Sequence, residues 1–271
     1  MSIAVLISGE YRTFSHCKRT IDFLYDPSVD IYISTWDSSS YVSPRINLDI
    51  TESVTQERIV NDLNKQATIL IEPQSLIKEV KYSTKMMHRW ISGFNLIKES
   101  NKHYDYVIVM RPDLFFNYFY PVNLNNIHNY KNSLGVAWAT DEYINNKKLQ
   151  DVLFLSSYTN MCKLLDTLDI NEWLNGGEED WHTWWFNHCD KTLPIQYAKD
   201  FSQCTFYRYL TDNNNPLFSD VMTAQHDWRD LQLLSQIDIM GRDALKTAWP
   251  EHVIQNAEDK WNNGYFNKFV K

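Results

Sequence analysis

Apolar residues along the chain fall into two kinds of pattern. Ile3–Ile7, Asp30–Thr35, Ala67–Ile71 and Tyr104–Met110 are short apolar-rich runs. Runs of this length with little alternation are the pattern of strands buried on both faces. Between them, apolar residues recur at helical spacing: Phe14, Cys17, Ile21 and Leu24, then Ile59, Val60 and Leu63, then Met87, Trp90, Ile91, Phe94 and Ile97. The last group falls at i, i+3, i+4, i+7 and i+10 and predicts an amphipathic helix with one face on the sheet. Ser53-Val54-Thr55-Gln56 reads as a capping box ahead of the second group. The polar stretch Ser38–Asp49 predicts a loop, and Glu72-Pro73 closes the third strand. The resulting order, β-α-β-α-β-α-β, has connections long enough for right-handed crossovers. It predicts an α/β fold with a Rossmann-type, mostly parallel sheet flanked by helices.

The pattern changes after about residue 115. Asn123–Asn132 is asparagine-rich and turn-like, Leu134–Ala139 and Val152–Leu155 read as strands, and Pro194–Ala198 as one more. Ser156 or Ser157 caps a helix carrying Met161, Leu164, Leu165 and Leu168. Gly176-Gly177-Glu178-Glu179-Asp180 precedes Trp181-His182-Thr183-Trp184-Trp185, a helix start with acids in its first turn. Beyond Phe201 the chain is polar, with a short apolar face of Leu231, Leu234 and Ile237. The expectation is one domain over 1–271: a nucleotide-binding half over 1–115, an acceptor half over 116–200 and an extension over 201–271. No repeat or linker interrupts it.

Composition narrows the chemistry. At 271 residues the chain can bury a substantial core. Aromatic residues reach 14%, with 10 Trp, which suits stacking on sugar or base rings as well as filling a core. The net charge of −8 and the absence of a basic block argue against a broad grip on a polyphosphate backbone. Cys17, Cys162, Cys189 and Cys204 are scattered without a Cys-x-x-Cys pair and predict reduced thiols in a cytoplasmic protein. Met1–Ser8 lacks the charged start of a signal peptide, and no apolar run approaches the ~20 residues of a membrane helix.

Strand ends carry the candidate chemistry. Ser8-Gly9-Glu10-Tyr11-Arg12-Thr13 follows the first strand. Gly9 lets backbone approach a ligand, and Arg12 lies near the following helix start, within reach of a phosphate or a base edge. The second strand runs into Trp36-Asp37 and the fourth ends abruptly in Arg111-Pro112-Asp113. An open α/β sheet holds its ligand at such carboxyl edges, and proline stops the strand. The plainer alternatives are a simple strand-to-helix turn at Gly9 and mutual pairing of Arg111 with Asp113.

Three blocks carry a resemblance: Ile-Ala-Val-Leu-Ile-Ser-Gly-Glu-Tyr-Arg-Thr-Phe, Asp-Ile-Tyr-Ile-Ser-Thr-Trp-Asp and Tyr-Asp-Tyr-Val-Ile-Val-Met-Arg-Pro-Asp-Leu. In that order they resemble a glycosyltransferase-like family of bacteria and viruses, including phages, with a GT-A-type fold. The likeness covers about residues 3–160 and is thin afterwards. It implies a nucleotide-sugar donor at Ser8, Gly9, Arg12, Trp36, Arg111, Asp113 and Asp151, the last toward the sugar hydroxyls. Most GT-A enzymes hold Mn²⁺ or Mg²⁺ with Asp-x-Asp where this chain has Arg111-Pro112-Asp113. Only one carboxylate remains, so metal dependence is open. Asp113, joined by His226 from the tail, is the implied ligand set, and Arg111 is suited to carry part of the charge.

The resemblance also implies a general base near the acceptor: Asp180, then Glu179. Trp181, Trp184 and Trp185 are the acceptor-stacking candidates, with core packing as the competing use for at least one. The expected reaction is sugar transfer to an acceptor hydroxyl, on a surface glycan or on a hydroxymethylated base of phage DNA. A nucleotidyltransferase and a non-catalytic sugar-binding module are the other classes. The first would need a better phosphate loop than Gly9-Glu10-Tyr11-Arg12.

Overall fold

The computed structural model describes residues 1–11, 14–43, 48–77, 82–116, 122–137, 146–175, 180–202, 204–206, 230, 233–234, 242–246 and 251–265. The chain divides into two compact units, Met1–Arg208 and Tyr209–Lys271. The strands of the first are β1 (Ile3–Ser8), β2 (Val29–Trp36), β3 (Ser38–Ser43), β4 (Leu48–Ser53), β5 (Ala67–Glu72), β6 (Tyr106–Met110), β7 (Leu114–Phe116), β8 (Leu134–Val136), β9 (Leu153–Ser157), β10 (Ile195–Tyr197) and β11 (Cys204–Phe206). Its α-helices are α1 (Phe14–Cys17), α2 (Gln56–Leu63), α3 (Tyr82–Glu99), α4 (Tyr158–Asp166), α5 (Ile170–Asn175) and α6 (Trp181–Thr192).

Seven strands make the central sheet, in the order β10-β8-β9-β6-β1-β2-β5. The β1–β2, β1–β6, β2–β5 and β8–β10 pairs are parallel. β9 alone in this sheet runs the other way, antiparallel to both β6 and β8. The expected mostly parallel α/β sheet is therefore present.

Alternate residues of each central strand feed two cores. Ile3, Val5 and Ile7 of β1 join Ile31, Ile33, Ile108 and Leu155 on one face, under Phe14, Leu24, Ile59 and Leu63. Ala4 and Leu6 join Tyr32, Val107, Val109 and Phe154 on the other, under α3, α4 and α6. Both faces being buried is why these strands read as unbroken apolar runs. α3 lies close on the sheet because residue 93 is glycine. A Cβ there would stand 2.4 Å from Leu6 Cδ1 and 2.8 Å from Ser34 Cβ.

Several local expectations are corrected. Within the expected loop Ser38–Asp49, Ser38–Ser43 and residues 48–49 are strand: β3 and β4 pair antiparallel as a ribbon of their own. Its residues are mostly polar, so backbone pairing forms it without an apolar signal. The N-cap of α2 is Thr55, whose Oγ1 accepts from Arg58 N at 3.2 Å, while Ser53 ends β4. Phe14, Cys17, Ile21 and Leu24 are all buried as predicted. Only Phe14–Cys17 is α-helical, and the chain then tightens into 3₁₀ turns at Lys18–Thr20 and Asp22–Tyr25. Thr20 Oγ1 supports that tightening by donating to Cys17 O at 2.8 Å and accepting from Phe116 N at 2.9 Å. Leu124–Tyr130 is likewise a 3₁₀ helix, not an irregular turn, capped by the Asn123 side chain.

The second unit contains α7 (Arg242–Leu245) and α8 (Glu251–Asn262). Leu233, Ile254 and Ala257 form a small core there, and Lys260 donates to the buried Asp230 carboxylate at 2.6 Å. Leu231 and Ile237 lie outside the described residues. Among the described residues no helix is long and apolar enough to cross a membrane.

Candidate active site

Parallel pairing of β1, β2 and β6 brings their carboxyl ends to one edge of the sheet. α3 returns over the sheet from β5 and begins at that same edge. A small cleft lies between them. It is lined by Ser8, Gly9 and Glu10 after β1, Trp36 at the end of β2, Lys85 and Met86 of α3, and Arg111-Pro112-Asp113 after β6.

Gly9 has φ +129°, a conformation other residues rarely adopt. Its N–H donates to Ser34 O at 3.1 Å, and a Cβ on it would sit 3.5 Å from Pro112 Cδ. The two loops thus approach through a glycine and a proline. The Ser8 hydroxyl beside them is fully buried and has no hydrogen-bond partner among the described residues. Buried hydroxyls are ordinarily paired, so Ser8 carries an unspent polar valence into the cleft.

Arg111 and Asp113 grip each other bidentately. Arg111 Nε donates to Asp113 Oδ1 at 2.9 Å and Nη2 to Oδ2 at 2.8 Å. The pairing alternative is thus realised. Arg111 N also donates to Val152 O at 3.2 Å, which ties the turn to the start of β9.

Trp36 is fixed from behind. The Arg89 guanidinium lies 4.1 Å from the centre of its ring, and His88 is stacked on it at 5.8 Å. Arg89, fully buried, donates to Thr35 O at 2.9 Å and pairs with Glu72, which also meets His88 at 3.3 Å. Burial pushes the Arg89 guanidinium down to about 10, while the pair with Glu72 acts in the opposite direction. On either count it is charged at neutral pH.

Burial also lowers the pKa of His88 from the ordinary 6.5, and that of His188, which stacks on Trp184 and Trp185. A histidine lowered by folding is protonated more readily in the unfolded chain. Stability from these two is complete above 6.5 and lost as pH falls through and below it. Thermal midpoints followed from about pH 8 to about pH 5 should fall, and His188→Gln should flatten part of that slope. An unchanged slope in the variant would remove His188 from the account.

The remaining expected site residues are dispersed. Asp151, nearly buried at the start of β9, accepts from Trp181 Nε1 at 3.1 Å. Asp180 is the N-cap of α6, and no acid stands in that helix's first turn, contrary to expectation. Its half-exposed carboxylate is 3.6 Å from Lys148 Nζ and does not line the cleft. Trp184 and Trp185 are corrected to core residues, 6% and 0% exposed. Trp185 packs against Trp90 at 5.0 Å and Phe154 at 5.4 Å, and Trp184 against Trp173 at 5.4 Å, so neither offers a free face to an acceptor. Trp181 is half-buried, stacked on both. Arg12, Glu179 and His226 lie outside the described residues.

A divalent ion of the kind the Asp-x-Asp comparison implies needs several oxygen ligands. Asp113 has both oxygens on Arg111. Among the described residues, no three His, Cys, Asp or Glu side chains converge as a ligand set. Of the expected ligand set, Asp113 is engaged by Arg111 and His226 lies outside the described residues.

Lys85, Met86, His88 and Arg89 carry no signal in the sequence pattern. The apolar stripe of α3 starts at Met87, whereas the helix begins at Tyr82 and brings Lys85 and Met86 to the cleft.

No family model matches the chain. No characterised protein matches it by sequence. Its fold is similar to that of the apo-form glycosyltransferase GlyE of Streptococcus pneumoniae TIGR4, with TM-score 0.41 and 12% identity over 73% of this chain. The match spans 46% of GlyE, less than half its length. It is also similar to the galactosyltransferase LgtC in complex with donor and acceptor sugar analogs, with TM-score 0.43 and 10% identity over 73% of this chain and 74% of that one.

Proposed function

We propose that this protein is a nucleotide-sugar-dependent glycosyltransferase acting on an acceptor hydroxyl, in the first instance that of a surface glycan. The observation that carries the reading is the cleft itself. A glycine turn, an aromatic wall, an arginine–carboxylate pair and the start of a long helix meet at the carboxyl edge of three neighbouring parallel strands. That edge is where an open α/β sheet takes a nucleotide, and Gly9 admits the ligand close to backbone.

In the reaction, the acceptor oxygen bonds to the anomeric carbon as the bond from that carbon to the diphosphate oxygen breaks. The acceptor proton passes to a carboxylate, for which Asp180 is the candidate, and the nucleoside diphosphate leaves with the electron pair. Arg111 would meet part of the charge growing on that leaving group on release from Asp113. Asp151, whose Oδ2 accepts from Trp181, is the candidate for a sugar hydroxyl.

Incubating the protein with UDP-, GDP-, CDP- and TDP-sugars, with and without Mn²⁺, should release one nucleoside diphosphate in preference to the others. Slow hydrolysis without acceptor is sufficient. If none is bound by calorimetry and none is hydrolysed in either condition, the reading fails.

A further inference from the structure

We infer that the donor's diphosphate is met by a cation of the chain itself, Lys85, together with the Ser8 hydroxyl and the first turn of α3, and that binding needs no divalent ion. This rests on the nucleotide-sugar reading and deepens it.

Lys85 is the fourth residue of an 18-residue helix and lines the cleft half-buried. It has no ion-pair or hydrogen-bond partner among the described residues. The position is electrostatically unfavourable for a lysine. The first turn of a helix carries partial positive charge and four N–H groups without intrahelical acceptors. A cation there adds like charge to like, and an anion seated between them reverses the sign of both terms.

The second, independent sign is Ser8. Ser8 lines the same cleft, and its fully buried hydroxyl lacks a partner among the described residues. A phosphate oxygen would accept from it. The other charges of the lining are already committed. Arg111 and Asp113 neutralise each other through two hydrogen bonds, and Glu10 has an interaction of its own. Asp113 would have to release Arg111 before it could hold a metal. Lys85 need release nothing.

The test is isothermal titration with the nucleoside mono- and diphosphates of uridine, guanosine, cytidine and thymidine, in EDTA and in MnCl₂. The preferred diphosphate should bind in EDTA within about threefold of its affinity in Mn²⁺. Lys85→Ala should weaken the diphosphate by about tenfold to a hundredfold and the monophosphate by less. Lys85→Arg should restore most of the loss. Because the side chain has no partner among the described residues and its charge opposes the helix dipole, the thermal midpoint of Lys85→Ala should not fall below the wild type, which separates lost binding from lost folding. Binding that appears only with Mn²⁺, or an affinity unchanged by Lys85→Ala, overturns the inference and leaves the glycosyltransferase reading standing. No nucleotide binding in either buffer overturns both.

Discussion

Asp113→Leu alone should destabilise the protein by about 3–5 kcal/mol, and adding Arg111→Met should recover most of that loss without recovering sugar transfer. The side chains of Arg111 and Asp113 are 9% and 1% exposed, so their two mutual hydrogen bonds are made away from water. Removing the carboxylate takes both of those bonds from a guanidinium in a desolvated turn. Removing both leaves two apolar side chains of similar volume, a change that often costs little. Catalysis divides the variants differently. If Arg111 meets the departing diphosphate, the double variant is folded and inactive. Chemical denaturation gives the first quantity and release of nucleoside diphosphate the second. A single-variant cost under about 1 kcal/mol would mean the pair behaves as a solvated surface bridge. A double variant with full turnover would remove Arg111 from the chemistry.

That pair also shows what the sequence could and could not convey. Arg111, Asp113, Ser8, Gly9 and Trp36 are legible because each stands at the end of an apolar run, and parallel pairing brings those ends to one cleft. The runs themselves are legible because the sheet is covered on both faces. Strand direction is not written in an apolar run, and the reversal of β9 had no local signal. A polar ribbon such as β3–β4 gives no contrast between its faces to read. Lys85 was invisible for a related reason. Helical periodicity marks the stripe that faces the core, and the polar turn at the mouth of a cleft looks like any solvated helix start. The mutual grip of Arg111 and Asp113 depends on the turn made by Pro112, a geometry that residue types alone leave open.

The tryptophans of α6 illustrate the same ambiguity with larger energetic consequences. Spacing cannot say whether a ring faces a sugar or a core, and here it faces a core. Trp185→Ala should therefore destabilise the fold by about 3–5 kcal/mol, the range for truncating a buried large aromatic. The ring is fully buried and has Trp90, Phe154, His188 and Trp181 around it at 5.0, 5.4, 5.9 and 6.1 Å. Trp185→Phe should be far milder. Its smaller ring keeps much of the packing, and the substitution removes an indole N–H that has no hydrogen-bond partner among the described residues. The cost should stay within about 1.5 kcal/mol. Trp181 should behave in the opposite sense. It is only half-buried, and its Nε1 holds Asp151 at 3.1 Å. Trp181→Phe should keep the fold and alter turnover of the sugar by releasing that carboxylate. Unfolding free energies and donor turnover measured on the three variants separate the roles. If Trp185→Ala keeps its stability and loses acceptor binding instead, the ring is an acceptor platform and its assignment to the core is wrong.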